Sequence, residues 1–255
     1  MLADELPKAL AGSAAGDVAL LCIDLDGFKG VNDSYGHETG DRLLVAIADG
    51  LRHLAGNGSL ARLGGDEFAL LLTGEQSRAN AETIASTIIG FVKEPFDIGG
   101  RSACVGASIG LARGEIGMEP GELVRRADIA MYDAKENGRG LWRWFNHDLD
   151  IARAEDVEIA AEIRSFIAEG RFEVAYQPIV DAATRRVGAV EALARWPASS
   201  PRLLTPDRFI PIAEHHGLIG DLGVAIARQA CRAVAGWSDV RLSLNVSPFQ
   251  LNNRD

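Results

Sequence analysis

The chain has 255 residues, enough for two ordinary domains, and 47% of them are apolar, which excludes a disordered chain. A formal net charge of −10 argues against a nucleic-acid interface and against an anionic membrane surface. No apolar run approaches the ~20 residues of a membrane span, and no signal peptide is read at the start. Cys22, Cys104 and Cys231 lie in apolar runs without metal-ligand spacing, and read as buried thiols of a reducing cytoplasm.

Leu2, Leu6 and Leu10 have helical spacing, but Pro7 should break a helix running through them. The expected arrangement puts Pro7 in the first turn of a short helix ending near Gly12. Val18 to Ile23 is a continuous apolar run, as in a strand buried on both faces. It runs into Asp24-Leu25-Asp26, then a polar loop to Asp41 that holds Lys29 and is kept open by Gly27, Gly30, Gly36 and Gly40. Acids at the end of a buried strand are costly unless a cation or hydrogen bonds compensate them. Thr39 can cap the next helix, whose buried stripe is Leu44, Ile47, Ala48 and Leu51.

Leu60–Leu63 and Phe68–Leu72 read as strands around Gly64-Gly65-Asp66-Glu67, a hairpin that lifts two carboxylates out of a sheet. Alone, such a turn is usually only solvated. A second acid cluster at Asp24 and Asp26, in the same small domain, points instead to Mg²⁺, a hard cation that takes oxygen ligands and bridges to phosphates. Ala81, Ile84, Ala85 and Ile88 mark a helix that stops before Pro95, and Ser102–Ala112 reads as one strand with small residues where something packs close. Leu123, Ala127, Ala130, Met131 and Ala134 mark another helix, which Gly138 ends. Lys135 and Arg139 stand i, i+4 at that end, where they reach one ligand together or serve as solvated cations favouring the helix dipole. Trp142–Phe145 closes the set as a short strand. Strands and helices are interleaved, so a central sheet with flanking helices is expected.

From Asn146 to Gly170 the chain is acidic and helical in pattern, with Ala160, Ile163, Ile167 and Ala168 on one face. Beyond it, period-two alternation puts Glu191, Leu193 and Arg195 on one strand face and Ser243, Asn245 and Ser247 on another. Thr205-Pro206 suits a helix start. His215-His216 before Gly217 reads as a surface helix cap, His53 as a solvated helix residue, and the tryptophans as core or interface residues.

The pattern Asp24-x-Asp26-x-Phe28-Lys29-x-x-Asn32-Asp33-x-x-Gly36-His37-x-x-Gly40-Asp41, followed by Gly64-Gly65-Asp66-Glu67-Phe68, resembles the GGDEF family of diguanylate cyclases. Ala127-Asp128-x-Ala130-Met131-Tyr132-x-Ala134-Lys135-x-x-Gly138-Arg139 is similar to that family's C-terminal signature. The resemblance implies an α/β (α+β) palm of the nucleotidyl-cyclase type over residues 1–145, which joins two GTP into cyclic di-GMP. It implies that Asp24 and Asp66 hold Mg²⁺, or Mn²⁺ in its place, by their side chains, and Leu25 by its carbonyl. Lys29 is then the transition-state lysine. Asp66 and Glu67 are the acids available for the 3′-hydroxyl proton, their division of roles open. Backbone amides of Gly27, Phe28 and Lys29 cradle phosphate, as do Lys135 and Arg139, while Asn32 and Asp41, with His37 nearby, read guanine. One site holds one GTP, so a second copy must face it in a two-fold homodimer.

Two departures matter. The family's upstream signature Asp-x-Leu-Thr-Gly-Leu-x-Asn-Arg is absent, so the chain is expected to begin inside a longer protein, whose other segments can anchor it to a membrane. Ala55-Gly56-Asn57-Gly58 stands where many members carry Arg-x-x-Asp for product inhibition, so no inhibition is expected through that route.

Tyr176-Gln177-Pro178-Ile179-Val180, Glu191-Ala192-Leu193-Ala194-Arg195-Trp196 and Leu244-Asn245-Val246-Ser247 resemble the EAL family of cyclic di-GMP phosphodiesterases. This implies a β/α barrel beginning at about residue 157, after a helical linker at 146–156. Residues 157–255 supply fewer than half of the ~250 that a barrel typically needs. Gln177, Glu191, Arg195 and Asn245 match family positions, with Glu191 and Asn245 as metal ligands. The family's later acids and its lysine are not in the chain, and two ligands do not make a two-metal centre. No hydrolysis of cyclic di-GMP is therefore expected. The alternatives for the whole are a cyclase, a catalytically silent GTP-binding module controlling an EAL domain, and a cyclic di-GMP receptor of the EAL type.

Overall fold

A computed structural model describes residues 2–12, 17–74, 77–237 and 240–251, and divides the chain into two compact units, Met1–Ile151 and Ala152–Asp255. The last four residues of the expected 157–255 segment lie outside the described residues.

In the first unit β1 (Val18–Asp24) is the middle strand of a five-stranded sheet. Its neighbours are β3 (Glu67–Thr73) and β6 (Ser108–Arg113), both antiparallel to it. β2 (Ser59–Gly64) flanks β3, and β7 (Trp142–Trp144) runs parallel to β6. Every residue of β1 is buried because both faces are covered. Ala19, Leu21 and Ile23 meet residues of α2 (Phe28–Tyr35), α3 (His37–Ala55) and α4 (Ser77–Lys93). Val18, Leu20 and Cys22 meet α1 (Leu2–Gly12) and α5 (Pro120–Glu136). Burial of a Leu or Ile side chain of this kind contributes roughly 1.5–3 kcal/mol. That is why an uninterrupted apolar run becomes the central strand.

Several sequence expectations need correction. Pro7 lies inside α1, not in its first turn. Leu6 and Leu10 are buried against Val18 and Leu123, and that packing outweighs the one backbone hydrogen bond proline forfeits. The loop after β1 is largely helical: α2 occupies Phe28–Tyr35, and α3 starts at His37 with Gly36 as its cap. Thr39 therefore sits in the first turn, its hydroxyl donating to the Tyr35 carbonyl at 2.9 Å. The stretch Ser102–Ala112 is two strands. β5 (Ser102–Ala103) pairs with β4 (Phe96–Asp97) in a separate ribbon, and β6 begins only at Ser108. Cys104 and Cys231 are exposed, and only Cys22 is buried.

In the second unit β8 (Glu173–Val180) is antiparallel to β9 (Val187–Arg195), and β10 (Arg241–Leu244) is parallel to β9. The crossover carries α7 (Pro206–His215) and α8 (Ile219–Val234), and α9 (Pro248–Leu251) follows β10. Among the described residues these strands form an open three-stranded sheet, not a closed barrel. Its core gathers Phe166 of α6 (His147–Glu169) with Phe172, Trp196 and Phe209. On α6 the buried residues are Asp156, Ile159, Ala160, Ile163 and Phe166, while Ala168 is exposed. His216 is half-buried with an unpartnered Nε2, more enclosed than a surface cap, and burial lowers its pKa.

Candidate active site

The two acid clusters meet because β1 and β3 are adjacent. Asp24 at the end of β1 stands opposite Glu67 at the start of β3. Gly65 takes φ +52 at the turn, a conformation open to glycine, and so brings Asp66 over the end of β1. The Leu25 amide donates to the Asp66 carbonyl at 3.3 Å, which fixes the turn against the loop. Arg62 adds a second restraint, donating from Nε and Nη2 to the Gly65 carbonyl at 2.9 and 2.7 Å. β2 carries a register shift between Arg62 and Gly64, so the hairpin bends where the carboxylates begin.

α5 delivers the cations. It lies directly on β6 at Gly110, where an added Cβ would fall 2.0 Å from the Ala127 carbonyl oxygen and 2.1 Å from the Met131 nitrogen. That approach brings the end of the helix over β1, and Lys135 Nζ reaches Asp24 Oδ2 at 2.7 Å. Arg139 Nε lies 3.7 Å from Asp26 Oδ1. Burial pushes the Asp24 carboxyl above its ordinary pKa, Lys135 draws it back, and Asp66 and Asp26 add to the rise. Glu67 is raised as well, by burial first and then by Asp24, with smaller contributions from Asp128 and Asp66. Glu67 and Asp128 share a cavity of about 330 Å³ with Cys22 and Met131. Burial first, and then Asp128 and Glu67, push the Cys22 thiol up to about 12.

Among the described residues no three His, Cys, Asp or Glu side chains converge as a self-sufficient metal site. Mg²⁺ does not need one, because it usually keeps waters and is held by one or two carboxylates plus substrate phosphates. Asp24, Asp66 and the Leu25 carbonyl suit that demand. The Lys135 ammonium drawn onto Asp24 is the evidence that this corner attracts a cation. The Leu25 carbonyl accepts from the Phe28 amide at 3.3 Å and keeps a second lone pair.

The other sequence candidates are distributed as follows. The Phe28 side chain is buried in the core and its amide already has that partner, so its place in the expected phosphate cradle is reduced. Lys29, on the first turn of α2, is exposed. Asn32 is half-buried on α2, and its amide group closes on Gly40, where an added Cβ would lie 1.9 Å from Asn32 Oδ1. That contact ties Asn32 to the turn of α3 bearing His37 and Asp41, both exposed. In the second unit Gln177 stands opposite Glu191, and Asn245 Nδ2 donates to Glu191 Oε1 at 2.7 Å. Arg195 instead turns back to the Ala194 carbonyl at 3.0 Å. The sequence reading gave no role to Ser108 or Asp128. Their signals were a polar residue opening a strand of small residues and an acid inside a helical apolar stripe.

The family described as "Diguanylate cyclase, GGDEF domain" matches residues 1–141, and the one described as "EAL domain" matches residues 160–255. The bifunctional diguanylate cyclase/cyclic di-GMP phosphodiesterase MucR of Pseudomonas aeruginosa is 35% identical over 264 residues, 98% of this chain and 38% of MucR. The cyclic di-GMP phosphodiesterase NbdA of the same organism is 33% identical over 235 residues, 89% of this chain and 30% of NbdA. The chain thus spans only about a third of the length of these relatives. Among solved structures, the GGDEF domain of PA1120 (YfiN or TpbB) from Pseudomonas aeruginosa is 37% identical, with a TM-score of 0.51, covering 57% of this chain and 91% of that domain.

Proposed function

The chain belongs to the diguanylate cyclase GGDEF-domain family, followed by part of an EAL domain, and on that premise we propose that it condenses two GTP into cyclic di-GMP. The observation that carries the reading is the cluster at the end of β1 and β3: Asp24 opposite Glu67, Asp66 above them, and Lys135 at 2.7 Å from Asp24. In this reading residues 1–145 are the cyclase domain, 146–156 a helical linker and 157–255 the start of the EAL domain.

The reaction is a nucleotidyl transfer. The 3′-hydroxyl of each GTP attacks the α-phosphorus of the other, so two phosphodiester bonds form, two protons leave and two pyrophosphates depart. Positioning and charge stabilisation supply most of such catalysis. Asp24, Asp66 and the Leu25 carbonyl would hold Mg²⁺ or Mn²⁺, which neutralises triphosphate charge and acidifies the attacking hydroxyl. Lys135, which pairs with Asp24 at 2.7 Å, would with Arg139 bind the phosphates once a metal took its place on that carboxylate. Lys29 meets charge that develops on the reacting phosphoryl group. Asp66 and Glu67 are the carboxylates placed to take the proton. Asn32 and Asp41, beside His37, read the guanine edge: a carboxylate accepts from N1–H and the 2-amino group, and an amide donates to O6 or N3. A second copy brings the other GTP across a two-fold axis in the cytoplasm. The EAL part carries Gln177, Glu191, Arg195 and Asn245.

A second reading, a silent GTP-binding module that regulates an EAL phosphodiesterase, draws on the likeness to NbdA, which is named for phosphodiesterase activity alone. Incubation with GTP and Mg²⁺, with products separated by chromatography, distinguishes the two. Cyclic di-GMP and pyrophosphate from the wild type, and neither from Asp66→Asn, support the cyclase. GTP binding without product supports the regulatory module.

A further inference from the structure

We propose that Asp26 is a positioning residue that locks the phosphate-binding arm, Lys135 and Arg139, to the acidic loop after β1. The inference rests on the reading of Lys135 and Arg139 as triphosphate ligands, and goes beyond it by giving Asp26 a task separate from Asp24. Asp26 follows β1, and its backbone exchanges two hydrogen bonds with Gly106, at 3.0 and 2.9 Å. A Cβ on Gly106 would press on the Asp26 carboxylate at 3.3 Å, so the acid is walled in on that side. Its side chain, 10% exposed, accepts from the fully buried Ser108 hydroxyl at 3.0 and 2.8 Å and from the Gly140 amide at 3.2 Å. Arg139 Nε faces it at 3.7 Å. One carboxylate therefore ties together the loop after β1, the first residue of β6 and the segment leaving α5.

The segment it grips is under backbone constraint. Arg139 has φ +57, a left-handed conformation that non-glycine residues sparsely populate and that persists where the surroundings hold it. The Arg139 amide donates to the Ala134 carbonyl at 3.2 Å, which closes the helix end, and the Gly140 amide then turns to Asp26. Without the Asp26 charge, the Arg139 guanidinium loses the carboxylate that faces it at 3.7 Å. The arm then loses the register that sets Lys135 and Arg139 at one distance from the acids. Asp26 is not expected to touch substrate, since its oxygens are already engaged by Ser108, Gly140 and Arg139.

The test is a double-mutant cycle on the full chain, read as KM for GTP, kcat and the thermal midpoint. Asp26→Asn keeps the shape and a hydrogen-bond acceptor while removing the charge that faces Arg139. It is expected to raise KM about tenfold, to change kcat less, and to leave the midpoint within a few degrees. Arg139→Ala should do the same, and the double variant should be no worse than the weaker single variant. Should Asp26→Asn fail to fold, Ser108→Ala, which removes one donor to the same carboxylate, carries the cycle with a smaller rise. Effects that multiply, or an unchanged KM with a lowered midpoint, overturn the inference and leave the cyclase reading standing. A wild type that ignores GTP removes both.

Discussion

At the scale of single residues, the chemistry follows from which groups are buried and which are exposed. Asp24 is buried at a strand end and paired with Lys135, so its charge is kept only by a cation. Asp41 is exposed on α3 and free to meet a base. Asp41→Ala should raise KM for GTP about tenfold or more, because the guanine N1–H and 2-amino donors lose their acceptor; an unchanged KM in steady-state kinetics would remove the assignment. Cys22 differs from the other thiols. Cys104 and Cys231 should react with a chromophoric thiol reagent in the native protein, and Cys22 only after denaturation. Burial raises its pKa to about 12, against about 8.5 for a free thiol. The native state thus holds a proton that the unfolded state gives up, so this contribution to stability is complete below about pH 8.5 and is lost as pH rises toward 12. A Cys22→Ser variant should show a smaller alkaline loss in denaturant titrations. The sequence made Asp24, Asp66 and Lys135 legible, because acids ending apolar strands and cations ending a helix are visible in one dimension. It hid the partner of each, since Asp24–Lys135 and Asp26–Ser108 join residues far apart in the chain.

At the scale of elements, the site depends on how closely α5 can approach β6. Gly110 makes that approach possible, and the obstruction to any side chain there is backbone, which cannot rotate away. Gly110→Ala should cost about 1–3 kcal/mol in denaturant unfolding, the usual range for overpacking a filled core. It should also reduce turnover, because the helix end carrying Lys135 moves off β1. Full stability with full activity would contradict this placing of α5. α4 and α5 could be read from the spacing of their apolar positions, β1 from its continuous apolar run, and the hairpin of β2 and β3 from the strand-like flanks of the Gly64-Gly65 turn. α1 and the loop after β1 could not. Pro7 signalled a break that burial of Leu6 and Leu10 overrides, and Gly30 and Gly36 concealed the short helix α2 that ends beside Gly36. Ser102–Ala112 looked continuous because its residue types suit one strand, while Asp26 pairing with Gly106 diverts the chain between β5 and β6.

For the molecule as a whole, the proposed cyclase reading gives each active site half of the reactants. Cyclic di-GMP formation should therefore rise faster than linearly with protein concentration until dimers saturate; a strictly linear dependence across a hundredfold range would point to a single copy acting alone. Ala55 ends α3 and Gly56-Asn57-Gly58 leads into β2, with neither a guanidinium nor a carboxylate to grip product. Added cyclic di-GMP should leave the initial rate unchanged through that segment, and strong inhibition would contradict this. The most direct test concerns the metal. Crystals soaked with Mn²⁺ and a non-hydrolysable GTP analogue should show anomalous scattering between Asp24 and Asp66, about 2.1 Å from a carboxylate oxygen of each and against the triphosphate. Nucleotide bound in full with no metal between those two side chains would contradict the central claim.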